Sequence, residues 1–192
     1  MTALRYLMTA VLLTALTACS SIPLTTMVKL MNLNPLTTNP KKLLVAVTGD
    51  EDIEITSGDV VLDFSFRTDD PNVSFNHHFP VVTYPNYTVP SELQDEIDSG
   101  ERITIMHLSD TDAATMLADQ QTIKRYREKH ENGGAGSINV RLVSACKKSR
   151  ETPENSELNV YLKTENDTEF FLFLEDIDLE SLDEAAGCDA GR

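Results

Sequence analysis

The sequence predicts a mainly β domain (α+β), an antiparallel β-sandwich of about seven or eight strands with one inserted helix and a short N-terminal helix. Three observations lead there. From Leu43 onward apolar and polar residues alternate, most clearly where Val60, Leu62, Phe64 and Phe66 oppose Asp63, Ser65 and Arg67, the period of a half-buried antiparallel strand. Turn-forming clusters separate these runs at Gly49-Asp50, Ser57-Gly58, Asp69-Asp70-Pro71-Asn72 and Glu165-Asn166-Asp167. Only the stretch after Ser109 has sustained helical character, whereas a parallel α/β sheet needs helices alternating with strands throughout.

In chain order, Leu24, Met27, Val28 and Met31 fall at i, i+3, i+4 and i+7, one face of a helix over 23–33 that Pro23 opens and that Asn34-Pro35 and Asn39-Pro40 stop. Strands are expected at 43–48, 53–56, 60–67, 73–79 and 81–84. Pro80 should break the last pair and place it at a sheet edge or in a bulge. Residues 91–99 suit a short helix with Leu93 and Ile97 inward, followed by a strand over 102–108. Ser109 with Asp112 three residues on opens the longest helix, whose apolar side is Ala113, Met116, Ile123 and Tyr126 and whose stop is Gly133-Gly134. One strand over 138–146, a hairpin over 158–163 and 169–174, and an acidic segment over 176–192 complete the chain.

With 31 acids against 16 bases over 192 residues, the formal charge is −15 and the pI about 4.5, so no nucleic acid is expected as a partner. The chain holds no Trp, which removes the usual sugar-stacking platform. No G-x-S-x-G, H-E-x-x-H or C-x-x-C occurs. No catalytic residue, cofactor or metal is assigned on this basis. His77 and His78 are adjacent in a strand and should point to opposite faces, too far apart to share an ion. The acidic turns lack the spaced ladder of an EF-hand loop. Gly133 to Ser137 has the composition of a phosphate loop, but it follows a helix instead of preceding one and no lysine follows it.

The N-terminus is the most specific part of the sequence. A basic residue, Arg5, precedes the apolar run Tyr6 to Leu16, and Leu16-Thr17-Ala18-Cys19 ends it. This end resembles the lipobox of bacterial lipoproteins. The resemblance implies cleavage between Ala18 and Cys19 and acylation of Cys19; Ser20, in place of Asp, implies passage to the outer membrane. More than one acyl chain makes such anchoring stable, since each buried methylene contributes about 0.8 kcal/mol. The expected organisation is a signal peptide over 1–18, an anchor with helix and linker over 19–42, the β domain over 43–175 and the acidic segment over 176–192. Setting Cys19 aside leaves Cys146 and Cys188, an even number suited to a disulfide in an oxidising compartment.

Two surfaces are candidates for interaction. One is the stripe Leu24, Met27, Val28 and Met31, beginning five residues after Cys19, which is expected to dock on the domain's own sheet, with the bilayer interface as the alternative. The other is Lys124, Arg125, Arg127 and Lys129 at the end of the long helix, where bases also complement the helix dipole. The expected function is that of a lipid-anchored, periplasm-facing interaction module with an envelope protein as partner. A periplasmic hydrolase or a carrier of an apolar ligand is the competing class, distinguished by a deep apolar cavity with convergent polar groups.

Overall fold

The alternating segments become strands over nearly the lengths their patterning implies. The computed structural model describes residues 36–130, 133–148, 156–165, 169–179 and 184–187. In chain order come β1 (Leu44–Asp50), β2 (Ile53–Glu54), β3 (Val60–Arg67), β4 (Phe75–Thr83), α1 (Ser91–Gln94), β5 (Glu101–Leu108) and the long helix α2 (Asp110–Arg127). They are followed by β6 (Ala135–Leu142), β7 (Ser144–Lys147), β8 (Glu157–Lys163), β9 (Phe171–Asp178) and β10 (Glu184–Gly187), and a 3-10 turn over Pro40–Lys42 precedes β1. Seven strands form one curled antiparallel sheet in the order β6-β3-β4-β5-β1-β8-β9. A second sheet of three strands, β10-β7-β2, pairs β10 parallel to β7.

The fold is therefore mainly β with a long helix. The pairing does not give the two comparable antiparallel sheets of the expected sandwich. Instead the large sheet carries a core on each face. On one face Val45 and Val47 of β1, Leu62, Phe64 and Phe66 of β3 and Met106 of β5 pack with Ala113, Met116 and Ile123 of α2. On the other, Ala46, Ile105 and Tyr161 pack with Leu93 of α1 and with Phe170. β1 lies between β5 and β8 and is buried on both faces, which is why its sequence, Leu-Val-Ala-Val-Thr-Gly-Asp, is not cleanly alternating.

α2 is set by its cap and its stripe. Ser109 Oγ accepts the Asp112 N–H at 3.1 Å and donates to the Asp112 carboxylate at 2.7 Å, while Asp110 and Asp112 place negative charge in the first turn. The helix ends at Arg127, and the chain turns back through Gly133 and Gly134, both at positive φ. At Gly134 a Cβ would lie 2.5 Å from the Phe66 ring, so close approach to β3 as well as backbone conformation requires glycine.

Two expectations are corrected. Pro80 does not break β4, nor does β4 lie at an edge: it runs continuously between β3 and β5. It pairs with β3 through Phe75 to Pro80 and with β5 only through Val81, Val82 and Thr83. The Val81 carbonyl points toward β3, where it accepts the Gly58 N–H. The neighbouring Pro80 nitrogen therefore points to the β5 side, where β5 has already ended at Leu108, and no donor is missed. The second correction is that 138–146 is not one strand. It divides at Val143 into β6 and β7, which belong to different sheets.

Asp59 causes that division. The residue is buried, its backbone carbonyl accepts the N–H groups of Val143 and Ser144, and its carboxylate accepts from the Thr56 N–H, the Thr56 hydroxyl and the Ser144 hydroxyl. Asp59→Ala keeps the backbone carbonyl but takes the carboxylate from the Thr56 N–H and from the Thr56 and Ser144 hydroxyls, and is expected to lower the unfolding free energy by about 2 to 4 kcal/mol. Urea denaturation checks this; a loss under about 0.5 kcal/mol, the range of an ordinary surface substitution, would contradict it.

Candidate functional site

A cleft of about 760 Å³ lies where β4 leaves β5. Toward β1, β5 is paired from Glu101 to His107, but toward β4 only Met106, His107 and Leu108 are paired. One further bond, from the Tyr84 N–H to the Ile105 carbonyl at 2.7 Å, closes the shared ladder, and Pro85 then takes the chain away. Backbone groups alternate in direction along a strand, so the N–H and carbonyl of Ile103 face the same side as the Ile105 carbonyl. Among the described residues they have no hydrogen-bond partner on that side.

One wall of this slot is the β2–β3 connection, Ile55 to Asp59, and the other is the loop carrying Tyr84, Tyr87 and Val89. The Tyr84 ring is 41% exposed, 5.5 Å from Tyr87 and 4.6 Å from His107. Burial holds the Tyr87 hydroxyl above its ordinary pKa, with Glu92 and Tyr84 adding to the shift. Arg102 lines the slot and makes no hydrogen bond or ion pair among the described residues. Glu54, also in the lining, lies 3.9 Å from Lys148.

Of the residues singled out in the sequence, Lys124, Arg125, Arg127 and Lys129 are all exposed at the end of α2. They are not equivalent. Arg127 donates to the Gly133 carbonyl at 2.9 Å and lies over the Phe66 ring, so it holds the turn after the helix. Arg125 donates to Thr122 at 3.1 Å within its own helix. Lys124 and Lys129 make no side-chain bond among the described residues. Ala18, Cys19, Cys188 and the stripe Leu24, Met27, Val28 and Met31 lie outside the described residues.

His77 and His78 do point to opposite faces. His77 faces α2, where its Nδ1 lies 2.8 Å from Asp119, between the rings of Phe75 and Phe79. His78 faces outward and meets Asp63 at 2.6 Å. Asp63 also takes a two-point contact from Arg141, at 2.5 and 3.0 Å. Among the described residues, no group of three or more His, Cys, Asp or Glu side chains could hold a metal ion, and no helix is long and apolar enough to cross a membrane.

The slot was not found from sequence. Tyr84-Pro85-Asn86-Tyr87 reads as a proline-punctuated loop, and the open half of β5 depends on register. The one available signal was a length mismatch: the run Val81 to Tyr84 is too short to cover Arg102 to Leu108. Set against protein-family models, curated proteins and solved structures, the chain matches none. The functional reading therefore rests on its own residues.

Two outcomes follow from this geometry. The Arg141 hydrogen bonds, aided by His78 and opposed by partial burial, hold the Asp63 carboxyl below its ordinary 3.8. A depressed carboxyl stabilises the fold above its unfolded pKa, and that contribution is lost as pH falls through the lower folded value. Thermal unfolding of Asp63→Asn should thus show a weaker decline than the wild type below about pH 4, with a penalty near neutral pH of about 1 kcal/mol because Arg141 and His78 are substantially exposed.

Cys146 is disulfide-bonded, and β10 lies beside it with Ala186 opposite Cys146, ending at Gly187, one residue before Cys188. Non-reducing peptide mapping is expected to link Cys146 to Cys188. Reduction should then cost about 4 kcal/mol by loop entropy. Two free thiols in freshly isolated protein would contradict the pairing.

Proposed function

We propose that this chain is an exported bacterial lipoprotein, held by acyl chains on Cys19 at the periplasmic face of the outer membrane, and that its β domain is an interaction module for an envelope protein. The observation that carries this reading is the box Leu16-Thr17-Ala18-Cys19 placed directly after a basic residue and an apolar run. The way the chain enters the fold supports it. Lys41 lies 3.7 Å from Asp110 in the first turn of α2, and buried Gln120 donates to the Thr38 carbonyl at 2.8 Å. Ten residues of helix rise about 15 Å. Traced backward from Lys41 to Thr38, the chain therefore runs toward the C-terminal end of α2, the end that carries Lys124, Arg125, Arg127 and Lys129.

A tether arriving along this path brings the basic end of α2 toward the surface that holds the anchor. On a bilayer with anionic headgroups each such base contributes about 1 kcal/mol, enough for a few of them to orient a tethered domain. Elsewhere the excess of acids makes close approach to such a surface unfavourable.

Cys19→Ser is expected to move the protein from the membrane pellet to the soluble periplasmic fraction and to remove acyl mass from the mature N-terminus. Unchanged fractionation without a change in mass would overturn the reading.

A further inference from the structure

We propose that the open half of β5 is a docking site for an extended peptide segment of a partner protein, which adds to the sheet as a strand beside Ile103 and sets an acidic side chain against Arg102. The proposal rests on the reading of this chain as an interaction module and names the chemistry of what the module binds.

The backbone of β5 defines the occupant. Ile103 presents an N–H and a carbonyl facing the same way, without partners in the described fold, next to a ladder already running from Met106 to Leu108. In an antiparallel pair one residue of an incoming strand closes both bonds. The chain does not fill the position itself, because it turns away directly after Tyr84: Pro85 suits the second place of a turn that the Tyr87 N–H closes on the Tyr84 carbonyl at 3.1 Å. Peptides that join a sheet edge in this way take affinity from main-chain bonds and specificity from alternate side chains.

The side chains around the edge define the rest. A strand beside β5 would send alternate residues toward Tyr84 and Tyr87 on one face and toward the Ile55 to Asp59 connection on the other. The tyrosines offer apolar ring area, and the volume of about 760 Å³ suits several residues of extended chain. Arg102 supplies the charge preference. Glu54 has Lys148 within 3.9 Å, and the Asp59 carboxylate is occupied by Thr56 and Ser144, which leaves Arg102 as the lining charge that makes no side-chain bond among the described residues.

The test uses the mature chain purified in mild detergent, acylated or not, and a fluorescein-labelled, terminally blocked octapeptide alternating valine with threonine and glutamate. Saturable binding by anisotropy is expected, with slowed amide exchange at Ile103 and unchanged exchange in β1. Methylating alternate peptide nitrogens, or replacing glutamate by lysine, should each weaken binding at least about tenfold, the size expected for loss of main-chain bonds or of charge pairing in a desolvated slot. An Arg102→Glu chain with an unchanged circular dichroism spectrum should reverse the glutamate-over-lysine preference.

Absence of binding overturns the proposal, as does equal binding of the methylated peptide. So does an Ile103 amide already protected in a self-associating chain, which would assign the slot to a second copy. Because binding is measured whether or not Cys19 carries lipid, failure here leaves the fractionation result intact, and failure of the anchor leaves peptide binding to be read by itself.

Discussion

The buried carboxylate of Asp59 decides how the two sheets meet. Its oxygens and its backbone carbonyl take donors from both sides, from Thr56 in the turn before β3 and from Val143 and Ser144 where β6 becomes β7. Hydrogen bonds to an ionised acceptor away from water are strong, and the same seclusion makes any partial set of them costly. The chain is therefore held to one geometry at this point: β6 ends on the large sheet, and β7 begins beside β2. Asp59 also lies in the lining of the slot along β5, so the interaction that joins the sheets holds one wall of the proposed docking site.

The other consequence of this architecture is a sheet buried on both faces with different partners. α2 and the entering segment with Thr38 belong to one face; Leu93, Tyr87, Val89 and Phe170 belong to the other. An antiparallel sheet usually leaves one face to water, and here the second face is covered by the Tyr84 to Gly100 connection and its single short helical turn. A cover of that kind is less regular than a helix. It leaves β5 open over part of its length while keeping the aromatic residues of the connection close to the strand.

Patterns that act within one strand or one helix were legible in the sequence. The alternation of β3, the cap at Ser109 and the opposed directions of His77 and His78 all follow from local geometry and appear as expected. Features that depend on which strand lies next to which were not legible. Pro80 is compatible with an interior strand only because β5 stops at Leu108 on the side its nitrogen faces, and nothing within β4 announces that. The alternation of Ile138, Val140, Leu142, Ser144 and Cys146 passes across the Val143 division, because both strands bury or half-bury those positions although they join different sheets. The same dependence on register hid Ile103 and Arg102, while Lys124, Arg125, Arg127 and Lys129 were visible as a local cluster and proved exposed, with Arg127 committed to the turn after α2.

In a chain with 31 acids and 16 bases, the placement of the bases says more than their number. Arg141 is committed to Asp63 and Lys41 lies beside Asp110, so neither presents an unopposed charge. Arg102 and the end of α2 are different: they keep positive charge where the fold does not cancel it, against a background that repels anions elsewhere. These two places lie toward opposite ends of β3, since Arg102 lines the slot with Asp59, just before Val60, while Arg127 lies over the Phe66 ring, about 20 Å further along the strand. A surface that attracts one anion-bearing partner need not exclude a second when the length of a strand lies between them. A domain tethered as proposed, with the end of α2 toward the bilayer, keeps its open half of β5 near the other end of β3, so contact with the membrane and capture of an extended segment do not compete for the same residues.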